Sequence, residues 1–197
     1  MDEIRSFIAI DIPHSLKEKI SGIQNRFRSL KGSVGLVRPS NIHLTLKFLG
    51  NISEKQISDI KGALSESAKE ILTFTLNVTE VGVFPNIRYP GVLWLGLEDV
   101  SGRLTLLHKN IEDNMFKLGF QLEGRKFTPH LTLGRIKSLK GKNQLIKLIQ
   151  SERNIRTDEV ITVGKVNLMK SQLKPTGATY SVLESVALGS PKNNFNS

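Results

Sequence analysis

The 197-residue chain contains no cysteine, so disulfide staples, thiolate metal sites and a cysteine nucleophile are all excluded. A reducing compartment fits that absence. No apolar run approaches the ~20 residues that a membrane-spanning helix needs. The opening Met1-Asp2-Glu3-Ile4-Arg5-Ser6 is acidic and leads into only a short apolar stretch, unlike a signal peptide. Together these features predict a cytoplasmic chain that does not enter a membrane. Proline and glycine, at 7 and 16 residues, are too few for a low-complexity or collagen-like segment. No glycine-rich phosphate loop of the Rossmann or P-loop kind is present. Aromatics are also sparse, with one Trp and two Tyr.

Positive charge is what the chain has in excess. Lys and Arg number 28 against 18 Asp and Glu, for a net charge of +10. That balance favours polyanionic partners through phosphate attraction and counterion release, although a basic surface on an ordinary soluble protein produces it equally well. Hydrophobic residues make up 39% of the chain, enough for a core.

Periodicity then divides the chain into elements. Phe7 to Ile12 is β-branched and ends at Pro13, as a strand would. Leu16, Ile20, Ile23, Phe27 and Leu30 fall at helical spacing behind a Ser15/Glu18 capping box, and Gly32 and Gly35 break that helix. Ile42 to Leu49 alternates as a strand. Ser53 and Gln56 form a second capping box before an amphipathic helix through Ile57, Ile60, Leu64 and Ile71. Strands over Phe74 to Phe84 and Val92 to Leu97 flank a loop holding Arg88 and Tyr89, and Trp94 reads as a core residue. A third helix carries Leu104, Leu107, Ile111, Met115 and Leu118. A strand from His130, a lysine-rich helix over Leu139 to Ser151, and strands over Val160 to Leu173 and Ala178 to Leu188 complete the pattern. Irregular alternation with short turns predicts an α+β fold with antiparallel sheet. Residues 1–189 are expected to form a single two-lobed domain and 190–197 a flexible tail.

The chain has four histidines, and two of them open the identical tetrapeptide His-Leu-Thr-Leu, at 43–46 and 130–133. Proline precedes each copy and glycine follows, at Gly50 and Gly134, which points to an internal duplication. On a strand, side chains alternate between faces, so His43 and Thr45 share one face and Leu44 and Leu46 the other. The second copy repeats the arrangement with His130 and Thr132. Two such strands about a pseudo-two-fold axis would line one cleft with two imidazoles and two hydroxyls. One imidazole can take a proton from an attacking oxygen while the other donates to a leaving oxygen. The threonines can hold a phosphate between them. Neither copy brings a carboxylate or thiolate, so no metal is expected.

At these residues the sequence resembles the 2H phosphoesterase superfamily, and within it the RNA 2′,3′-cyclic phosphodiesterase (2′–5′ RNA ligase) family. The similarity runs from Phe7-Ile8-Ala9-Ile10-Asp11-Ile12-Pro13 through Asn41–Gly50, Val92–Gly96 and Phe127–Arg135 to Ser171-Gln172-Leu173 and Tyr180. It implies two pseudo-symmetric lobes with antiparallel sheets facing a central groove and helices outside. It implies metal-independent hydrolysis of RNA 2′,3′-cyclic phosphate ends to 2′-phosphomonoesters, without a cofactor. His43 would be proton donor, His130 proton acceptor, and Thr45 and Thr132 phosphate ligands. The family is also associated with joining tRNA halves through 2′–5′ linkages, the reverse chemistry.

Four further residues are candidate substrate contacts. Strict alternation puts Lys47 on the face of His43, where it could meet phosphate. Arg135 falls on the face opposite His130 unless the strand bends or ends at Gly134. Arg88 and Tyr89 could stack on bases or touch the RNA backbone. Lys137, Lys140, Lys142 and Lys147 form either a backbone-tracking patch or a solvated face. A non-catalytic RNA- or nucleotide-binding module in the same groove, or a phosphodiesterase for a small cyclic nucleotide, remain as alternatives. Nothing marks an oligomer interface, so a monomer is expected.

Overall fold

The computed structural model describes residues 3–30, 33–153, 159–175 and 177–189. The expected tail, 190–197, lies outside the described residues. In chain order the elements are β1 (Ile4–Asp11), α1 (His14–Arg28), β2 (Val34–Leu36), a 3-10 turn (Pro39–Asn41), β3 (His43–Ile52), α2 (Gln56–Ala68), β4 (Phe74–Asn86), β5 (Tyr89–Glu98), α3 (Arg103–Lys117), β6 (His130–Ile136), α4 (Lys142–Glu152), β7 (Val160–Val163), β8 (Lys165–Lys174) and β9 (Gly177–Ala187).

The two copies of His-Leu-Thr-Leu occupy β3 and β6, which lie side by side. The strand order is β7-β4-β5-β6-β3-β1-β8-β9, with β2 added on β6. Pairings between named strands are antiparallel. Beside the three pairs of β2 with β6, strands β3 and β6 pair at one residue pair, Leu44 with Leu131. Each is the second residue of its tetrapeptide, so the pseudo-two-fold axis passes between them. The two expected antiparallel sheets therefore meet edge to edge as one continuous sheet, with the groove on one face.

The opposite face is apolar. Leu44, Leu131 and Leu133 are at most 1% exposed. Against that face α1 buries Leu16, Ile20, Ile23 and Phe27, and α3 buries Leu104, Leu107, Ile111 and Met115. Helical spacing selected these residues together with Leu30 and Leu118, which fall beyond the helix ends, Leu30 partly buried and Leu118 38% exposed.

Several local expectations change. Helix α1 starts directly after Pro13, and the Ser15 hydroxyl donates to Glu159 Oε2 at 3.1 Å instead of capping. In the second box, Gln56 Oε1 accepts the Ser53 backbone N–H at 2.9 Å, so half of it forms. Gly164 divides the long segment after Val160 into β7 and β8. Strand β2 was not foreseen, because Gly35 reads as a breaker; in the structure it pairs with Arg135. The hairpin β4–β5 extends almost to its tip, with Asn86 opposite Tyr89.

Because Leu131 is fully buried at the β3–β6 pair, Leu131→Ala should lower stability by about 2–5 kcal/mol, the range for truncating a buried leucine. Urea unfolding measures this, and a loss below about 1 kcal/mol would show that the junction carries little of the fold's stability.

Candidate active site

Strand alternation sends His43, Thr45, His130 and Thr132 to one side, where all four line a single groove of about 260 Å³. Each imidazole is fixed from behind by its own backbone. His43 Nδ1 lies 2.8 Å from the Asn41 carbonyl oxygen and His130 Nδ1 lies 2.7 Å from that of Thr128. A carbonyl only accepts, so Nδ1 carries the hydrogen in both rings. The neutral form therefore has its lone pair on Nε2, and the protonated form donates from Nε2. Asn41 is itself tied down, its Nδ2 donating to the Ala178 carbonyl at 2.7 Å.

The surroundings of the two rings differ. His43 stacks on Phe7 with centroids 4.7 Å apart and meets the Tyr180 ring edge-on at 5.2 Å. His130 meets the Phe84 ring edge-on at 5.0 Å. Burial pushes the His43 pKa below the usual imidazole value. The Asn41 carbonyl and the Asp11 carboxylate oppose that shift, and the Lys17 ammonium adds to it. Trp94 is half-buried and paired with Thr132 on the groove face, not in the helix-side core; its ring packs on Phe84 and over Gly82, where a Cβ would clash.

Both strands break alternation at the same place. In β3, Thr45 pairs with Ala9 and Lys47 with Ile8, leaving Leu46 as a bulged residue. In β6, Thr132 pairs with Trp94 and Gly134 with Leu93, leaving Leu133 bulged. An extra residue inverts the facing of the residues that follow it, in β3 as far as a second irregularity at Leu49. Lys47 is consequently turned away from the groove and is 5% exposed. Its Nζ lies 2.8 Å from both Glu112 carboxylate oxygens and donates to the Gln121 carbonyl at 2.7 Å. The expectation that Lys47 meets phosphate is corrected: alternation fails at Leu46. The same inversion brings Phe48 and Arg135, each five residues after its histidine, into the groove lining. Arg135 thus reaches the groove through the bend anticipated near Gly134.

Arg88 and Tyr89 lie outside that groove, at the tip of the β4–β5 hairpin. Tyr89 is 62% exposed. The Arg88 guanidinium stands 5.8 Å and the Lys142 ammonium 5.6 Å from its ring centroid. Among the described residues, no three His, Asp or Glu side chains converge as a metal site requires. No described helix is long and apolar enough to cross a membrane.

The LigT like Phosphoesterase family model matches the chain twice, over residues 10–94 and 95–180, one match for each tetrapeptide. The chain belongs to the LigT-like phosphoesterase family. It is 33% identical over 182 residues to a protein of Methanothermobacter thermautotrophicus, covering 92% of this chain and 97% of the relative. It is 34% identical over 190 residues to one of Aquifex aeolicus, covering 96% and 100%. Both relatives are named RNA 2′,3′-cyclic phosphodiesterase. A crystal structure from Thermus thermophilus superposes with a TM-score of 0.77 at 26% identity, covering 94% and 98%. Escherichia coli LigT bound to NADP+ shares the fold, with a TM-score of 0.74 at 23% identity over 96% and 100%.

Within this LigT-like phosphoesterase, Phe48 and Arg5 are among the groove residues that sequence reasoning missed. Strict alternation would put Phe48 on the leucine face, yet it is 70% exposed. The one available signal was the repeat itself, which aligns Phe48 with Arg135 and Lys47 with Gly134. The anchored rings make a spectroscopic prediction. In ¹⁵N spectra, the neutral forms of His43 and His130 should both be Nδ1–H tautomers. His43 should titrate below the usual imidazole range. Asp11→Asn should move it lower still, because the opposing negative charge is gone while Lys17 remains. An upward movement would contradict this electrostatic account.

Proposed function

We propose that the chain hydrolyses RNA 2′,3′-cyclic phosphate termini to 2′-phosphomonoesters through its two histidines. The observation that carries this reading is the pair of imidazoles, each with Nδ1 tied to a backbone carbonyl, sharing one groove with two threonines. The names of the relatives accord with it.

In the proposed reaction His130 Nε2 takes a proton from water as the water oxygen bonds to phosphorus. The bond from phosphorus to O3′ breaks, and His43 Nε2 gives its proton to that oxygen. Thr45, Thr132 and Arg135 hold the non-bridging oxygens in line, where fixed donors act most strongly on developing charge. Burial keeps free His43 largely neutral near pH 7. An anionic phosphodiester in the groove would raise its affinity for the proton it must donate. 2′–5′ joining of RNA ends, tRNA halves among them, would use the same groups in the same roles, with a 5′-hydroxyl in place of water attacking phosphorus as the bond to O3′ breaks. Water as nucleophile and imidazoles as acid and base require no cofactor. The protein would act as a monomer in the cytoplasm.

A small cyclic nucleotide could enter the same groove. RNA is favoured by the hairpin tip, where an exposed aromatic plane and two cations can take unstacked bases and phosphates upstream of the cyclic end.

His43→Ala and His130→Ala should each reduce hydrolysis of a cyclic-phosphate-ended oligoribonucleotide in EDTA by about 10²-fold or more, with RNA binding retained. Full activity in either variant would sink the two-histidine mechanism. Tyr89→Ala should raise KM for the oligonucleotide at least about five-fold and leave a cyclic mononucleotide unaffected. Equal turnover of both substrates by this variant and the wild type would favour the small-nucleotide reading.

A further inference from the structure

Behind each bulge lies a buried polar side chain that the proposed chemistry does not use. In α1 it is Gln24, 1% exposed, and in α3 it is Glu112, 8% exposed. They occupy matching places in the duplication: Ile23-Gln24 with Phe27, and Ile111-Glu112 with Met115, have the same spacing and are all buried.

Their contacts also match. Gln24 Nε2 donates to the Val37 carbonyl at 2.7 Å and the Leu133 carbonyl at 2.9 Å. The Val37 N–H donates to the same Leu133 oxygen at 2.9 Å. Leu133 is the bulged residue of β6, while Val37 lies in the segment that leads into His43. In the other half, Glu112 accepts from Lys47 Nζ beside the β3 bulge and from the Glu123 N–H at 2.9 Å. Lys47 also donates to Gln121. Gln121 and Glu123 lie in the segment that leads into His130. On this side the His108 ring stacks on Phe127 at 3.9 Å. Both ties thus cross the pseudo-two-fold axis, joining the bulge of one half to the approach to the other half's histidine.

We propose that Gln24 and Glu112 are equivalent positioning residues. Each sets the bulge that turns a groove residue inward, Arg135 or Phe48, and locks it to the segment that presents the opposite histidine. The inference rests on the groove being the active site. Its physical basis is that a fully satisfied buried polar network is rigid, and that a displacement of about 1 Å at reacting groups can cost about 10²-fold in rate. One half makes the tie with a neutral amide opposite Gly134. The other makes it with an ion pair, because Lys47 stands where the second copy of the repeat has Gly134.

Gln24→Met keeps the volume and removes the donor. It should stay folded by near-UV circular dichroism and lower kcat/KM for a cyclic mononucleotide about ten-fold. Combined with Arg135→Ala, it should add no more than about two-fold to the loss from Arg135→Ala alone, because both remove one arrangement. For Glu112, the paired change Lys47→Met with Glu112→Leu avoids an unpaired buried charge and should preserve folding. Its kcat should nevertheless fall about ten-fold. Full activity in the folded Gln24→Met protein, or losses that multiply with Arg135→Ala, would overturn the positioning role. Activity surviving in both His43→Ala and Arg135→Ala would instead overturn the reading of the groove itself.

Discussion

The antiparallel contact between Leu44 and Leu131 decides where everything else can stand. Because equivalent residues of a duplicated tetrapeptide pair with each other, the pseudo-axis must pass between them. The histidine before each leucine and the threonine after it then emerge on the same face from opposite directions. Were the register to slip by one residue, the leucines would enter the groove and the imidazoles the core. Burial of Leu44, Leu46, Leu131 and Leu133 against α1 and α3 opposes that slip. The register that stabilises the core is therefore the one that assembles the site.

Symmetry accounts for two histidines and two threonines in the groove, and departures from symmetry make its two sides chemically different. The bulges at Leu46 and Leu133 present equivalent positions to the groove, but one holds an aromatic ring and the other a guanidinium. Phe48 offers a plane and Arg135 a forked cation, which suits a ligand with a base at one end and a phosphate at the other. The cost of the arrangement falls behind the sheet. Inverting the facing of Lys47 buries an ammonium, which is tolerable because Glu112 and the Gln121 carbonyl satisfy it.

The same duality governs the imidazoles. Backbone carbonyls two residues upstream impose one tautomer on both rings, so the difference between them arises from their surroundings. His43 sits among Phe7 and Tyr180, which withhold water from its charged form, while Asp11 and Lys17 act on it in opposite senses.

How much of this was legible follows from which interactions are local. Helical spacing identified the buried faces of α1 and α3, and strand alternation put the histidines and threonines together, because those periods are properties of short stretches of chain. The duplicated tetrapeptide was readable for the same reason, and with it the chemistry of the groove. Alternation failed at Leu46 and Leu133, since a bulge is set by register against β1 and β5 and leaves no mark in composition. Lys47 was therefore expected on the groove face, the reverse of its place, and Phe48 went unnoticed. Strand β2, the ties made by Gln24 and Glu112, and the Asn41 and Thr128 carbonyls behind the imidazoles depend on contacts distant in sequence or on backbone direction. By itself the sequence determined the residues that do the proposed chemistry and the faces that must be buried. Tertiary structure alone decided which neighbours join them, because a single extra residue in a strand inverts the side chains that follow it.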